Sequence, residues 1–385
     1  MTSSYEQAVW AWAAHLRSGG TTPWSEHGTR EAPTDVPTRT PVPDAVHLEL
    51  VRRLNLASGG RPLPWLADHV LTVGAPGRGR VDVPLPWEPA PQFGTRPIDP
   101  SHLPVEELLR LAVGVLATLL PDVRPPRMDP GTTRWPFPWR RRFRLHGSPG
   151  TVAAVREGLL ASGPVESDWR AVHVVLARPV DVMMAEQWSR TIHAGGTSPW
   201  NALWRRAVAA DRLPRPVDVA TIAARLLRQP GVRERDVHVV AARDTAGAAS
   251  LTAALLSVPP FHPEQHGELA AIDLVRRVNV VGAIAAGPRR VRELTATAVS
   301  LLDDPAAPLP EPSPVLVPRR ALTWARAVAA RTTDQLSRAD YAVHGDPEVL
   351  APSEHQQPGT IDRERTLELA LAACLRAWQR QEGPR

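Results

Sequence analysis

The chain has 385 residues, 43% of them hydrophobic and 22% charged, with a formal net charge of +5. That composition is expected of a soluble globular protein, and the length gives ample material for a packed core in one large domain or two ordinary ones. All 45 basic residues are arginine and lysine is absent, which removes Schiff-base, phosphate-loop-lysine and lysine-base chemistry from consideration.

Residues 1–139 read as a helical, Pro-rich N-terminal region. Trp10, Trp12 and Leu16 lie among alanines in a short helix over 7–17, which Gly19 and Gly20 end before Thr21-Thr22-Pro23-Trp24. Further helix patterns cover 63–71 and 105–120, and Pro-rich stretches at 33–43 and 84–100 read as loops or extended arms. The loop 73–80, rich in glycine and arginine, has no clear strand before it and neither a GxGxxG nor a Walker spacing, so it reads as a turn rather than a phosphate site. Arg140, Arg141 and Arg142 follow Trp135, Phe137 and Trp139; the reading preferred is a solvated hinge, and the alternative is a nucleic-acid patch.

Residues 140–385 read as an α/β domain. Strand, tight loop and helix occur twice in succession between Phe143 and Trp204, first through His146, Gly147, Ser148, Pro149, Gly150 and Thr151, then through 171–177 and Arg178-Pro179. Such units predict a parallel sheet flanked by helices, with ligands at the carboxyl ends of its strands. Onward, a helix over 217–227, a strand over 237–241 and helices over 246–256 and 272–281 are expected. Pro-rich chain to Pro318, a helix over 319–338, a strand over 341–343 and a last amphipathic helix through Leu367, Leu371, Leu375 and Trp378 complete the expectation.

One word recurs. Trp12, Gly19, Gly20, Thr21, Pro23 and Trp24 correspond to Trp188, Gly195, Gly196, Thr197, Pro199 and Trp200, each 176 positions later. A second echo, 50–55 against 274–279, keeps the same order. The glycine pairs read first as helix stops, each with a Trp over the helix end; the alternative is two halves of one ligand site.

The lone Cys374 lies in an apolar helix pattern and excludes an internal disulfide, which fits a reducing, cytoplasmic location. No signal-peptide core is seen, and the most apolar stretch, 108–120, is short and carries Arg110, so neither secretion nor a membrane span is expected. No metal is expected, because none of the 13 histidines has the spacing of a zinc signature. His173 and His238 read as core residues, and His146 is the weak candidate for acid-base work.

The stretch 145–151 resembles the strand and donor loop of the sulfotransferase family, bacterial branch, and 174–181 resembles that family's second strand with its phosphate-binding arginine, here Arg178. The tail 341–346 is similar to the end of some bacterial members, so the resemblance covers roughly 140–352. It implies a sulfotransferase-like fold with a sulfated nucleotide donor held by Gly147, Ser148, Gly150, Thr151 and Arg178. The loop matches only with two residues deleted, the loop lysine among them. The family's phosphate-binding serine falls on Ala185, beside Glu186. The expectation is therefore a non-catalytic protein without a cofactor, binding a small molecule or a protein partner in a degenerate cleft. An active transferase is the first alternative. A nucleic-acid binder is the second, and the modest net charge argues against it.

Overall fold

The structure is a computed structural model and describes residues 4–27, 43–74, 83, 97–123, 141–262, 268–285, 287–303, 315–352 and 359–382. Along the chain come α1 (Ser4–Arg17), α2 (Trp24–His27), α3 (Ala45–Ala57), α4 (Pro64–Thr72) and α5 (Val105–Leu119), then β1 (Arg142–Gly147), α6 (Pro149–Ser162), β2 (Val165–Glu166) and β3 (Val172–Ala177). Next, α7 (Val180–His193), α8 (Trp200–Ala210) and α9 (Val219–Leu227) lead to β4 (Val237–Ala241). Finally α10 (Thr245–Leu256), α11 (Leu269–Ala285), α12 (Pro288–Leu302) and α13 (Arg319–Ser337) lead to β5 (Ala342–Gly345) and α14 (Arg363–Glu382).

These elements divide into two compact units, one of 1–126, 277–308 and 362–385 and one of 127–276 and 309–361. The expected single cut at 139 is close to one boundary but misses the others. Residues 277–308 and 362–385, read by sequence as parts of the α/β domain, belong with the N-terminal helices. Periodicity shows that α14 has an apolar face; it does not show that α5 is the surface that face covers.

The first unit is helical. Asp44 starts α3 by accepting hydrogen bonds from the Val46 and His47 amides, both at 3.0 Å. α14 packs on α5, α3 and α12, and α1 packs on α3 and α4. Trp12, Leu16, Leu48, Leu54, Leu66 and Leu108 are fully buried in this unit.

The second unit is α/β. Its five strands run parallel in the order β2-β1-β3-β4-β5. The strands expected near 143, 172 and 237 are parallel neighbours, paired from Phe143 with Val172 and from His173 with Val237. Phe143, Leu145, Val174, Leu176 and Val240 pack on one sheet face against Val152, Val155 and Leu159 of α6 and Ala248, Ala249 and Leu256 of α10. Strand residues alternate between faces, so Val175, Val239 and Ala241 point to the other side, where α9 packs on β1, β3 and β4. From β1 the chain goes outward to β2 and then returns past β1 to β3. The carboxyl ends of β1 and β3 therefore flank a topological switch point, where open parallel sheets place ligands.

α12 contradicts the sequence reading, and α8 lies where that reading names no element. α8 begins at Trp200, and α12 occupies 288–302, which was read as Pro-rich chain. Pro288 stands at the first position of α12, where proline starts a helix rather than breaking one. Val291, Leu294, Ala298 and Leu301 then recur at helical spacing and are buried.

Candidate functional site

At the switch point, β1 ends in Gly147 with φ +113°, and a Cβ there would clash with the Leu176 carbonyl oxygen of β3. Only glycine fits this close crossing. Ser148 then caps α6 without bonding its amides through the side chain, and Pro149 stands at the first helical position. The start of a helix presents unpaired N–H groups and partial positive charge.

That positive end is filled by Glu186 of α7. Its carboxylate accepts a hydrogen bond from Ser148 Oγ at 2.5 Å, from the Thr151 amide at 2.7 Å and from Thr151 Oγ1 at 2.7 Å. Arg178, in the turn after β3, donates from Nη1 to Glu186 Oε1 at 2.9 Å, to Thr245 Oγ1 at 2.9 Å and to Thr151 Oγ1 at 3.2 Å. A Cβ on Gly150 would stand 3.0 Å from the Glu186 carboxyl carbon, so the loop closes tightly on this side chain.

Three buried polar atoms in this part of the chain have no hydrogen-bond partner: Arg178 Nε, Asp181 Oδ1 and Gln187 Oε1. Arg178 is 9% exposed and Asp181 5%. Burial pushes the Asp181 pKa above its ordinary value, against the lowering effect of backbone N–H groups and of Arg178. Native proteins satisfy nearly all such groups, and these three fall between 178 and 187 in the chain.

The structure thus brings together Ser148, Thr151 and Arg178, with Gly147 and Gly150 shaping the loop. His146 is placed apart. Its Nε2 lies 3.2 Å from Nδ1 of His173, on the sheet face covered by α9. Burial first, then His173 and the nearby Arg144 and Arg225 guanidiniums, push the His146 pKa down to about 4. Sequence reasoning missed Thr245, Asp181 and Gln187. Thr245 is 67 residues from Arg178, and only the pairing of β3 with β4 brings the two together.

The repeated glycine words are helix stops, one in each unit. Gly19 and Gly195 have φ of +91° and +90°. The amides of Gly19 and Gly20 bond to Leu16 and His15 carbonyls, and those of Gly195 and Gly196 to the equivalent Ile192 and Thr191 carbonyls. Trp12 Nε1 donates to Thr22 O at 3.0 Å and Trp188 Nε1 to Ser198 O at 2.9 Å. Trp24 and Trp200 lie over those rings at 5.3 and 5.4 Å. The amides of both glycine pairs are thus engaged within the turn. Asn55, in the second echo, donates to Leu16 O and Gly20 O at 2.7 and 2.8 Å, which ties the two words of the first copy together.

Arg140, Trp135, Phe137, Trp139 and the loop 75–80 lie outside the described residues. Arg142 stands 4.3 Å over the exposed Trp169 ring and Arg170 4.9 Å over it. Cys374 is buried, and burial pushes its thiol pKa up to about 12, as suits a core residue. Among the described residues, no three metal-ligating side chains come together and no helix is long and apolar enough to cross a membrane. Comparison with family models, curated proteins and solved structures returned no match to this chain.

Proposed function

We propose that the α/β unit is a non-catalytic binding module of sulfotransferase-like kind, whose site is the crevice at the carboxyl ends of β1 and β3 and whose ligand is a small molecule or a segment of a protein partner. The observation that carries this reading is Glu186. Sulfuryl or phosphoryl transfer needs uncompensated positive charge where negative charge develops. Here the Thr151 amide, both loop hydroxyls and the Arg178 guanidinium already serve an internal carboxylate, and the chain has no lysine to supply a second cation. A phosphate oxygen about 4 Å from that carboxylate would meet roughly 4 kcal/mol of repulsion at an effective dielectric of about 20. That is about a thousandfold in affinity.

The wild-type protein is accordingly expected to show no turnover of a sulfated nucleotide and no calorimetric binding of adenosine 3',5'-bisphosphate in the micromolar range. Micromolar binding that Arg178→Ala abolishes would favour the transferase reading instead, because a fixed guanidinium on phosphate is the contact that the resemblance leaves in place.

A further inference from the structure

We propose that His238 of β4 and His344 of β5 form a two-histidine site for a divalent transition ion of the Zn2+, Ni2+ or Cu2+ class at the edge of the sheet. The site is separate from the crevice at β1 and β3 and does not depend on how that crevice is read.

The spacing of the two rings is the first support. β4 and β5 pair in parallel with His238 opposite Ala342 and Val240 opposite His344, so the two histidines stand two positions apart on one sheet face. Their rings turn towards each other until His238 Nδ1 and His344 Nε2 are 3.0 Å apart. Two imidazole nitrogens at about 2.0 to 2.1 Å from one ion, in square-planar or tetrahedral geometry, lie about 2.9 to 3.4 Å from each other. The hydrogen bond between the rings therefore holds two nitrogens at the separation an ion requires. The ion takes the place of the shared proton, which passes through water to the outer nitrogen of its own ring. Spacing along the chain does not reveal this pair, because its members are 106 residues apart.

The surroundings are the second support, and the other histidine pair of this sheet is the contrast. His146 and His173 are also close, at 3.2 Å, but the Arg144 and Arg225 guanidiniums act on His146 against one carboxylate, Asp168, and α9 packs over that face. Besides His344, the groups acting on His238 are the Asp236 carboxylate and the Arg235 backbone carbonyl, both of which favour positive charge. Burial and His344 hold the His238 pKa below its ordinary value, so at neutral pH the ring is uncharged, the form that ligates metal. β5 is the edge strand and both rings are partly exposed, so an ion reaches them from solvent and keeps water in its remaining positions. Among the described residues no third metal-ligating side chain joins them, which makes the site open and exchangeable rather than a closed structural one. An ion bound across β4 and β5 ties the edge strand to the sheet, and it raises Tm because the unfolded chain does not bring the two rings together.

Calorimetry and thermal unfolding of the full-length protein with Zn2+ at neutral pH test this. Wild type is expected to show a saturable binding event accompanied by a rise in Tm. His238→Gln and His344→Gln should each weaken that binding at least about tenfold, since losing either ring removes the second, intramolecular ligand. His146→Gln should bind as wild type does. Zn2+ binding that survives both single variants, that is lost in His146→Gln, or that is absent from wild type up to about 1 mM would overturn the proposal. If a variant does not fold, the wild-type chain decides: Zn2+ should protect His238 and His344 from ring modification by diethyl pyrocarbonate, read by mass spectrometry, while the exposed His102 and His262 react as before. Equal modification of His238 and His344 with and without Zn2+ would overturn it.

Discussion

Glu49 and Glu186 are both glutamates held by arginine, and they are satisfied in opposite ways. Glu49, 1% exposed, takes Arg52 in a two-pronged contact at 2.7 Å and Arg53 at 3.1 Å, all within four residues of one helix. Glu186 takes its donors from the loop after β1, the first turn of α6 and the turn after β3. In the first case the acid compensates charges that the same helix carries and leaves no donor over. In the second it compensates a positive helix end, and Nε of its arginine partner remains unpaired. A buried ion pair is therefore not by itself evidence of a site; whether its donors come from one helix or from separate segments is what distinguishes the two.

The largest test of that contrast is Glu49→Ala. Removing one partner of a buried pair strands the others, so we expect a loss of about 3 to 5 kcal/mol in urea denaturation. A loss below about 1 kcal/mol, the range of an exposed pair, would break the comparison.

The glycines sharpen it next. Gly147→Ala combines a positive φ with a clash against Leu176 O and should cost about 3 kcal/mol. Gly163→Ala, also at positive φ but with nothing within 4 Å of the added methyl, should cost about 1 kcal/mol. Gly195→Ala, in the repeated helix stop, should fall between them. Equal losses at Gly147 and Gly163 would mean that the close crossing of β1 and β3 is unimportant.

At neutral pH the smallest effect is that of the histidines, whose contribution emerges only on acidification. The His146 ring meets His173 at 3.2 Å, with Arg144, Arg225 and Asp168 nearby, and its pKa falls from 6.5 to about 4. The unfolded chain thus takes up a proton below about pH 6.5 that the native state refuses until about 4, so stability should fall as pH falls through that window. His173 and His238, both also lowered chiefly by burial, act in the same sense. His146→Gln should flatten the slope of stability against pH, and an unchanged slope would show that His146 does not contribute.

What the residues show by themselves is local. Runs such as 172–177 and 237–241 are β-branched and continuous enough to be buried strands, and glycine pairs after Leu16 and Ile192 stop helices because glycine alone accepts the left-handed conformation without strain. The recurrence of Trp, Gly-Gly, Thr, Pro and Trp at one offset was enough to predict matching turns with a left-handed glycine, and the matching indole bonds came only with the structure. Even the Pro288 helix could have been read from its buried 3–4 spacing, had the proline been taken as a start.

Tertiary structure decided which faces meet. The sequence contains Glu186 as a carboxylate beside the position that the sulfotransferase resemblance assigns to phosphate, and by itself that reads only as a departure. Folding swings α7 back against the start of α6 and turns the same residue into the ligand of its own loop. Thr245 joins through β4, and α14 leaves the sheet to pack on α5. Periodicity is set by each residue's near neighbours in the chain. Contacts across 35 to 67 residues are set by which apolar faces cover one another once those elements exist.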